Sequence, residues 1–388
     1  MKRPCLAVAE AKNRFAGARG RRYSVDDMVE QAEKVLVVSP NWLGDVVMAW
    51  PGFQAWRRSE AGGKAEVWVL ARRGLDDLWR LHEGVAGTIR APGAKASRGE
   101  LAACVSQVRE GRFDRAVVLP NSWRSAWMPF RAGIPRRVGT AGHFPRRFLL
   151  TELRSAAQPA ADAPLASHQA WEAYGVWLPD RALPGSLDMP EIQADGEAVV
   201  RVKAWLAECP GGQAALEAPR RVALVPGAAR GDSKQWAPGR FAKTAALLHE
   251  RVGATAILLG TKAEAPLCEQ VAAAVRQQGG VAASLAGLTN LPEMAAALSV
   301  CDGVVCNDSG GMHLAAALGR PTVAVFGITD PAKTGPLGPW TRVLQESAVR
   351  SRKVPRHSAE ATAALARISP EMAAAAMESL WAAQAERG

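Results

Sequence analysis

Short apolar runs that end in small or polar residues alternate with helical patterns along this chain. The first series starts with the run KVLVVSP at Lys34 and continues with strand-like runs at residues 65–73 and 113–122. Near-continuous apolar character is typical of buried parallel strands, and a helix joins each such strand to the next. The alternation therefore predicts an α/β fold in which helices cover both faces of a parallel sheet.

The alternation occurs twice. Between about residues 156 and 220 it weakens into proline-rich segments, and it then restarts with a strand-like run at residues 220–228. A length of 388 residues is enough for two domains of ordinary size. We therefore predict two doubly wound domains, at residues 33–185 and 219–345, joined by a linker region at 186–218.

Both ends of the chain lie outside these two domains. Residues 1–32 mix charged residues with alanine and show no clear strand, so we predict an extension before the first domain. Residues 346–388 are predicted to form a helical tail. Its last helix has Ser369 as a suitable N-cap and Pro370 at the first helical position.

Composition narrows the function classes. The chain has 48 Lys and Arg against 37 Asp and Glu, a formal net charge of +11, which favours an anionic partner: nucleic acid, an acidic membrane surface or a phosphorylated small molecule. Six cysteines without a CxxC pair argue against a disulfide scaffold and a zinc site. No apolar stretch reaches the ~18 residues of a membrane span, and residues 5–9 are too short for a signal peptide. We expect a cytoplasmic protein.

The turns after the predicted strands are the candidate site, because ligands of doubly wound sheets bind beyond the carboxyl ends of the strands. The first turn, NWLGD, spans residues 41–45. Gly44 permits a tight turn, and Asp45 lies at the opening of the next helix. Asp45 is either a helix cap or a general base directed into a cleft between the domains.

Two turns of the second domain carry charged candidates. Residues 226–236, PGAARGDSKQW, resemble a P-loop only superficially, since the GxxxxGK[ST] spacing is absent. Lys234 in this turn is either solvated or a phosphate contact. Glu264 follows the next strand, where a carboxylate could accept hydrogen bonds from ribose hydroxyls or simply be exposed.

A further turn, NDSGGMH at residues 307–313, enters an alanine-rich helix. Free N–H groups at that helix start could bind an anion, and two glycines allow a diphosphate to approach closely. The plainer alternative is an ordinary N-cap by Asp308 or Ser309. His313 in the first turns of the helix is either structural or a ligand contact.

Several common motifs are missing from the sequence. The absence of GxGxxG after the first strand counts against a dinucleotide-dependent dehydrogenase, and neither HExxH nor GxSxG occurs. Metal-ligand residues are not clustered in the sequence, so no divalent ion is implied. Positively charged groups would then have to neutralise a phosphate by themselves.

Four segments in order resemble glycosyltransferase family nine, the ADP-heptose:lipopolysaccharide heptosyltransferases. They are NWLGDVVMAWPGFQAWR, LPNSWRSAWMPFRAGIPRRVG, LVPGAARGDSKQWAPGRFAKTAALL and NDSGGMHLAAALGRPTVAVFGITDP. The resemblance extends from about Lys34 to Pro339, and the segment around Asn121–Gly139 is most similar to the heptosyltransferase II branch. It implies a GT-B fold, with two Rossmann-like domains facing an interdomain cleft and a last helix that crosses back to the first domain. It also implies inverting, metal-independent transfer that needs no cofactor besides the co-substrate ADP-heptose.

The resemblance also assigns roles to matching positions. Asp45 matches the proposed catalytic base of the family. The matched donor-binding positions are Lys234, Glu264, Thr289, Asp308, Ser309, Gly310 and His313. The expected acceptor-binding positions are Asn41, Gly44, Asn121, Trp123, Arg124, Arg136 and Arg137. Of these, Arg136 and Arg137 belong to an arginine-aromatic cluster that is either an acidic-glycolipid patch or a solvated surface.

The implied function is transfer of heptose to the Kdo/heptose inner core of lipopolysaccharide, as the second heptose. The implied partners are a nucleotide-sugar donor and an acidic lipid A–Kdo acceptor at the inner leaflet, contacted peripherally by a cytoplasmic monomer that binds no nucleic acid. Three alternatives stay open: a nucleotide-sugar epimerase or hydrolase on the same scaffold, a glycosyltransferase of the family with another acceptor, and a non-catalytic binding protein.

Overall fold

The computed structural model describes residues 32–155, 168–178, 187, 192–229, 231–348, 355 and 357–387. The chain divides into two compact units, residues 1–32 and 33–388. The predicted extension lies almost wholly outside the described residues. The second unit holds both predicted domains and the tail.

The first domain is built on a sheet of six parallel strands in the order β3-β2-β1-β4-β5-β6. The strands are β1 (Lys34–Val38), β2 (Glu66–Arg72), β3 (Gly87–Ala91), β4 (Arg115–Val118), β5 (Arg136–Gly139) and β6 (Glu152–Leu153). Its helices are α1 (Leu43–Arg57), α2 (Glu60–Lys64), α3 (Leu75–Trp79), α4 (Arg98–Glu110), α5 (Trp123–Ala132) and α6 (His168–Trp177). In the centre of the sheet Val37 pairs with Val69 and Val117, and these apolar strands are buried on both faces.

The second domain repeats this plan, with strand order β12-β11-β10-β7-β8-β9. Its strands are β7 (Arg220–Val225), β8 (Ala254–Leu258), β9 (Ala282–Ser284), β10 (Gly303–Asn307), β11 (Thr322–Val325) and β12 (Thr341–Leu344). Its helices are α7 (Gly196–Glu208), α8 (Gly212–Glu217), α9 (Pro238–Val252), α10 (Ala265–Gln277), α11 (Leu291–Ser299), α12 (Gly310–Ala317), α13 (Pro331–Thr334), α14 (Ala359–Leu365) and α15 (Pro370–Ala385).

Both sheets have the same connectivity. Counted within its own domain, each sheet has the Rossmann order 3-2-1-4-5-6, and the chain reverses direction across the sheet between the first and fourth strands. These switch points lie between β1 and β4 in the first domain and between β7 and β10 in the second. The predicted pair of Rossmann-like, doubly wound domains is confirmed.

The two domains meet where α1 and α12 begin. A Cβ atom at Gly44 of α1 would lie 2.8 Å from Cδ2 of His313, and one at Gly310 of α12 would lie 2.8 Å from Cβ of Leu43. Side chains at these two positions would push the helices apart. The glycines therefore allow the amino ends of α1 and α12 to approach each other closely.

The predicted linker at 186–218 differs from the structure. Residues 196–217 of it form α7 and α8, and α7 packs against α11 of the second domain through one apolar face with Ala198, Val202 and Leu206. The four-residue spacing of these side chains is a helical signal that the neighbouring proline-rich segments obscure. Residues 186 and 188–191 of the predicted linker lie outside the described residues.

The prediction that the tail crosses back to the first domain is wrong for its last helix. Helix α15 packs on α9 and on strands β10, β11 and β12 of the second sheet. Its face carries Met377 and Trp381, and the Trp381 indole donates a hydrogen bond to the carbonyl of Asp302 at 2.7 Å. The amphipathic pattern identifies the buried face of this helix, but it does not say which sheet covers that face. Residues 349–354, 356 and 388 of the tail lie outside the described residues.

Candidate active site

Four turns meet at the two switch points. Asp45 follows β1 and Asn121 follows β4, while Lys234 follows β7 and Asp308 follows β10. Because all strands of each sheet are parallel, these residues lie at the carboxyl edges of the sheets, where doubly wound domains bind ligands. Two cavities open at this place.

The first cavity, of about 270 Å³, lies between the domains. The first domain lines it with Trp42, Gly44, Asp45 and Met48, and the second with Ala229, Lys234, Asp308, Ser309, Gly310, His313, Thr329, Asp330 and Thr334. It confirms the predicted interdomain cleft and brings six of the eight predicted catalytic and donor residues together: Asp45, Lys234, Asp308, Ser309, Gly310 and His313.

Asp45 is not the cap of helix α1. The N-cap position belongs to Trp42, whose side chain makes no capping hydrogen bond, and Asp45 is the third residue of the helix. The capping alternative is therefore wrong. Asp45 and Trp42 line the second cavity as well as the first, so this carboxylate stands at the boundary between them.

Lys234 and Asp308 form a buried ion pair across the second switch point. The Lys234 ammonium donates to Oδ2 of Asp308, and that oxygen also accepts a 2.8 Å hydrogen bond from the Thr329 hydroxyl. The buried amide of Asn307 links the same two turns, because it accepts from the backbone N–H of Trp236 at 2.9 Å and donates to the carbonyl of Pro226 at 2.7 Å. Sequence reasoning missed Thr329, which comes into contact with Asp308 only in the folded chain, and it gave Asn307 no role of its own.

The amino end of α12 faces the cavity without a side-chain cap. Ser309 is its N-cap, but its side chain forms no capping bond, and its buried hydroxyl oxygen has no hydrogen-bond partner among the described residues. Ser309 therefore occupies the N-cap position without capping the helix through its hydroxyl, and the carboxylate of Asp308 binds Lys234 and Thr329 instead. Uncapped N–H groups at the start of a helix attract anions.

His313 is buried between α12 and α1. Burial lowers the pKa of His313 to about 4, while the neighbouring Asp308 raises it and Lys234 lowers it. The imidazole is therefore neutral near pH 7. Its Nδ1 atom is buried without a hydrogen-bond partner among the described residues.

Glu264 and Thr289 do not line the first cavity, although they lie along the same carboxyl edge of the second sheet. The Glu264 carboxylate accepts hydrogen bonds from the backbone N–H and the hydroxyl of Thr261, each at 2.8 Å. It fills the space beside Gly227, where a Cβ atom would lie 2.0 Å from Oε1 of Glu264. The half-buried Thr289 lies directly before the N-cap of α11.

The second cavity, of about 210 Å³, belongs to the first domain. It is lined by Pro40, Asn41, Trp42, Asp45, Ala49, Leu119, Pro120, Asn121, Thr140, Glu172, Ala173 and Val176. The side chains of Asn121 and Thr140 are joined by a hydrogen bond. Two predicted acceptor residues, Asn41 and Asn121, therefore lie here beside Asp45, and a third, Gly44, lines the first cavity.

The other predicted acceptor residues lie outside both cavities. Trp123 and Arg124 begin α5 just after Asn121, and Arg124 donates to the carbonyl of Ala94 at 2.9 Å. Arg136 and Arg137 lie at the amino end of β5, away from the carboxyl edge.

The contacts of Arg136 and Arg137 are structural. Arg136 forms ion pairs with Glu33 at 3.5 Å and Glu152 at 3.6 Å. Arg137 donates to the carbonyls of Leu149 and Ile134. The direction of β5 places these two arginines at the opposite edge of the sheet from both cavities, and their contact with the acceptor stays a prediction.

Two Rossmann-like domains meet here at a cavity between their switch points. A lysine and an uncapped helix start lie on one wall of the cavity, and a carboxylate lies on the other. This arrangement defines a class of α/β proteins with a site for a phosphate-bearing ligand between their two domains. Residues 101–363 match glycosyltransferase family 9 (heptosyltransferase). The chain belongs to this family.

The relatives and solved structures agree with this membership. The chain is 31% identical over 319 residues to lipopolysaccharide heptosyltransferase 2 of Escherichia coli, covering 80% of this chain and 88% of the relative. It is also 31% identical to lipooligosaccharide heptosyltransferase 2 of Haemophilus ducreyi, with the same coverage. The solved structure of E. coli ADP-heptose lps heptosyltransferase II matches with a TM-score of 0.71 and 28% identity, over 90% of this chain and 99% of that one. The expected GT-B arrangement is confirmed.

Two further expectations from the sequence are that the protein needs no metal ion and has no membrane-spanning segment. Within the described ranges, no group of three His, Cys, Asp or Glu side chains is placed to hold a metal ion, and metal-independent transfer stays a prediction. Of the helices in the described part of the chain, none is long and apolar enough to cross a bilayer.

Proposed function

We propose that this protein is an inverting glycosyltransferase that moves heptose from ADP-heptose to the inner core of lipopolysaccharide, as the second heptose. The observation that carries the proposal is the first cavity, in which a carboxylate of one domain faces a lysine and an uncapped helix start of the other. The choice of the second heptose is supported by the relatives named heptosyltransferase 2 at 31% identity, against 24% for lipopolysaccharide heptosyltransferase 1 of Pseudomonas aeruginosa.

The donor would lie along the carboxyl edge of the second sheet. The diphosphate of ADP would contact the Lys234 ammonium and the N–H groups that follow Ser309, since both carry positive charge toward the cavity. Glu264 would accept hydrogen bonds from the ribose hydroxyls, and Thr289 would line the adenine pocket. His313 would contact the donor as a neutral imidazole.

In the reaction, Asp45 would take the proton from an acceptor hydroxyl that enters from the second cavity. The acceptor oxygen then forms a bond to the anomeric carbon of heptose, and the bond from that carbon to the β-phosphate oxygen breaks. ADP leaves with the bonding electrons, and Lys234 and the start of α12 stabilise the charge that develops on it. Attack from the side opposite the leaving group inverts the anomeric centre, and this scheme requires no metal.

The direct test is to incubate the purified protein with ADP-heptose and truncated core acceptors, with and without EDTA, and to identify the products by mass spectrometry. We expect one added heptose on an acceptor that already ends in heptose, at the same rate with EDTA. Donor breakdown without any acceptor would instead favour the epimerase or hydrolase. Transfer to an unrelated acceptor only would favour a different glycosyltransferase of the family.

We further propose that a cytoplasmic monomer contacts the inner face of the membrane through Phe144 and Phe148. These rings are 77% and 66% exposed and pack 5.4 Å apart, and the Arg147 guanidinium lies 5.8 Å from the Phe148 ring. Exposed aromatic rings beside a cation suit the interface of an anionic leaflet. The segment follows Thr140, so the contact would hold the second cavity near a lipid-anchored acceptor.

Replacing both phenylalanines by serine is expected to lower binding to phosphatidylglycerol vesicles by roughly 100-fold or more, since each buried ring contributes about 1.5–3 kcal/mol and about 1.4 kcal/mol corresponds to ten-fold. Flotation measures the bound fraction, and light scattering checks the monomer. Leu288→Ser, which removes a 52% exposed side chain from the second domain, serves as the control and should bind normally. Equal loss in both variants would refute the assignment of this surface.

A further inference from the structure

The second cavity has an unexpected charge. Although the whole chain carries +11, the charged side chains among the described residues that line this cavity are Asp45 and Glu172, both acidic. The other polar side chains that could bind a sugar are those of Asn41, Asn121 and Thr140. The cavity therefore offers hydrogen-bond acceptors and amide donors, and none of its described lining residues is lysine or arginine.

The helix that carries Glu172 is packed firmly in this position. This helix is α6, which packs tightly along α1: a Cβ atom at Gly52 of α1 would lie 2.7 Å from Cα of Tyr174. Glu172 is half-buried and forms no hydrogen bond or ion pair with another described residue. Its carboxylate is thus available to a ligand in the cavity.

Two cations, Arg146 and Lys234, lie near these turns without lining the second cavity, and each is held by other groups, although Nε and Nη1 of Arg146 are buried without a hydrogen-bond partner among the described residues. The fully buried guanidinium of Arg146 donates through Nη2 to the carbonyls of Val118 and Pro120, at 3.2 and 2.9 Å. Lys234 is paired with Asp308 on the other side of Asp45. An anionic group that entered the second cavity would meet two carboxylates, with none of the cavity's described lining residues to balance its charge.

We propose that the second cavity selects an uncharged, hydroxyl-rich acceptor sugar, and that Glu172 is a specificity-determining residue that excludes an acceptor sugar bearing a carboxylate. The inference rests on the proposed function, and it names the class of sugar that presents its hydroxyl to Asp45. Carboxylates and amides hydrogen-bond sugar hydroxyls well, whereas a like charge placed close by is a strong means of rejection. The acidic groups of a lipopolysaccharide acceptor would then lie outside this cavity.

The test compares wild type with Glu172→Gln, which keeps the shape of the side chain and removes its charge. The acceptors are a truncated core that ends in heptose, which is neutral, and one that ends in Kdo, a sugar acid. We expect the ratio of kcat/KM for the two acceptors, which favours heptose in the wild type, to fall at least about ten-fold in Glu172→Gln. The affinity for ADP should not change, because Glu172 does not line the first cavity.

Glu110→Gln is the matched control, since it removes an exposed carboxylate of the same domain outside both cavities. Its ratio of kcat/KM for the two acceptors should equal that of the wild type. An equal change of this ratio in both variants would show that the effect comes from the net charge of the protein and not from the position of Glu172. An unchanged ratio in Glu172→Gln, in a protein that does transfer heptose, overturns the inference and leaves the proposed function intact.

If no heptose transfer occurs, direct measurement of sugar binding tests the role of Glu172 separately from the proposed function. Saturation-transfer NMR with free heptose and free Kdo tests the cavity without any reaction. Preference for heptose that weakens in Glu172→Gln supports the inference even where heptosyl transfer fails. Equal binding of both sugars to the wild type, or the same preference in both proteins, overturns it.

Discussion

Asp45→Asn is expected to lower the rate of heptose transfer by roughly 10²–10⁴-fold, the usual contribution of a positioned general base. The amide has nearly the size of the carboxylate but cannot accept the proton of the acceptor hydroxyl. Because the donor residues belong to the other domain, the affinity for ADP should stay that of the wild type. Turnover by a discontinuous product assay and ADP binding by calorimetry measure the two effects separately.

A capping aspartate provides the control for this experiment. Asp195 is the N-cap of α7 and accepts the backbone N–H of Glu197 at 3.0 Å. Asp195→Asn should keep full transfer activity, since asparagine caps helices about as well as aspartate does. If Asp45→Asn retained turnover comparable to the wild type, Asp45 could not be the base.

The turns that carry the candidate site could be predicted from sequence because the rule behind them is local. Asp45, Lys234 and Asp308 each follow a recognisable buried strand, and in a parallel sheet all strand ends of one kind share an edge. The same rule, applied with strand direction, places Arg136 at the opposite edge of the sheet, because it begins its strand instead of following one. Its nearness in sequence to several aromatic residues suggested a patch that the fold does not form around the cleft.

The residues that sequence reasoning missed depend on packing between distant elements. Glu172 belongs to the second cavity only because α6 lies against α1, and Thr329 meets Asp308 only because β11 lies beside β10. Neither of these contacts between elements can be recognised from the local amino-acid composition. The same is true of α15, whose apolar face is visible in the sequence while the sheet beneath it is not.

Lys234→Met is expected to weaken ADP binding by roughly 10- to 150-fold, as the loss of a charged hydrogen bond worth about 1.5–3 kcal/mol implies. The substitution has a second effect, because it leaves the Asp308 carboxylate buried with Thr329 as its remaining hydrogen-bond donor among the described residues. Removing one partner of a buried ion pair costs about 3–5 kcal/mol of folding free energy. A lower affinity in this variant alone would therefore not distinguish a lost phosphate contact from a disturbed site.

The double variant Lys234→Met/Asp308→Asn separates these effects. The neutral amide needs no counter-ion, so the melting temperature should recover toward that of the wild type while ADP binding stays weak. Lys243→Met, at an exposed position of α9, should leave both properties unchanged. If calorimetry found wild-type affinity for ADP in the double variant, Lys234 would be a structural partner of Asp308 and the start of α12 alone would hold the diphosphate.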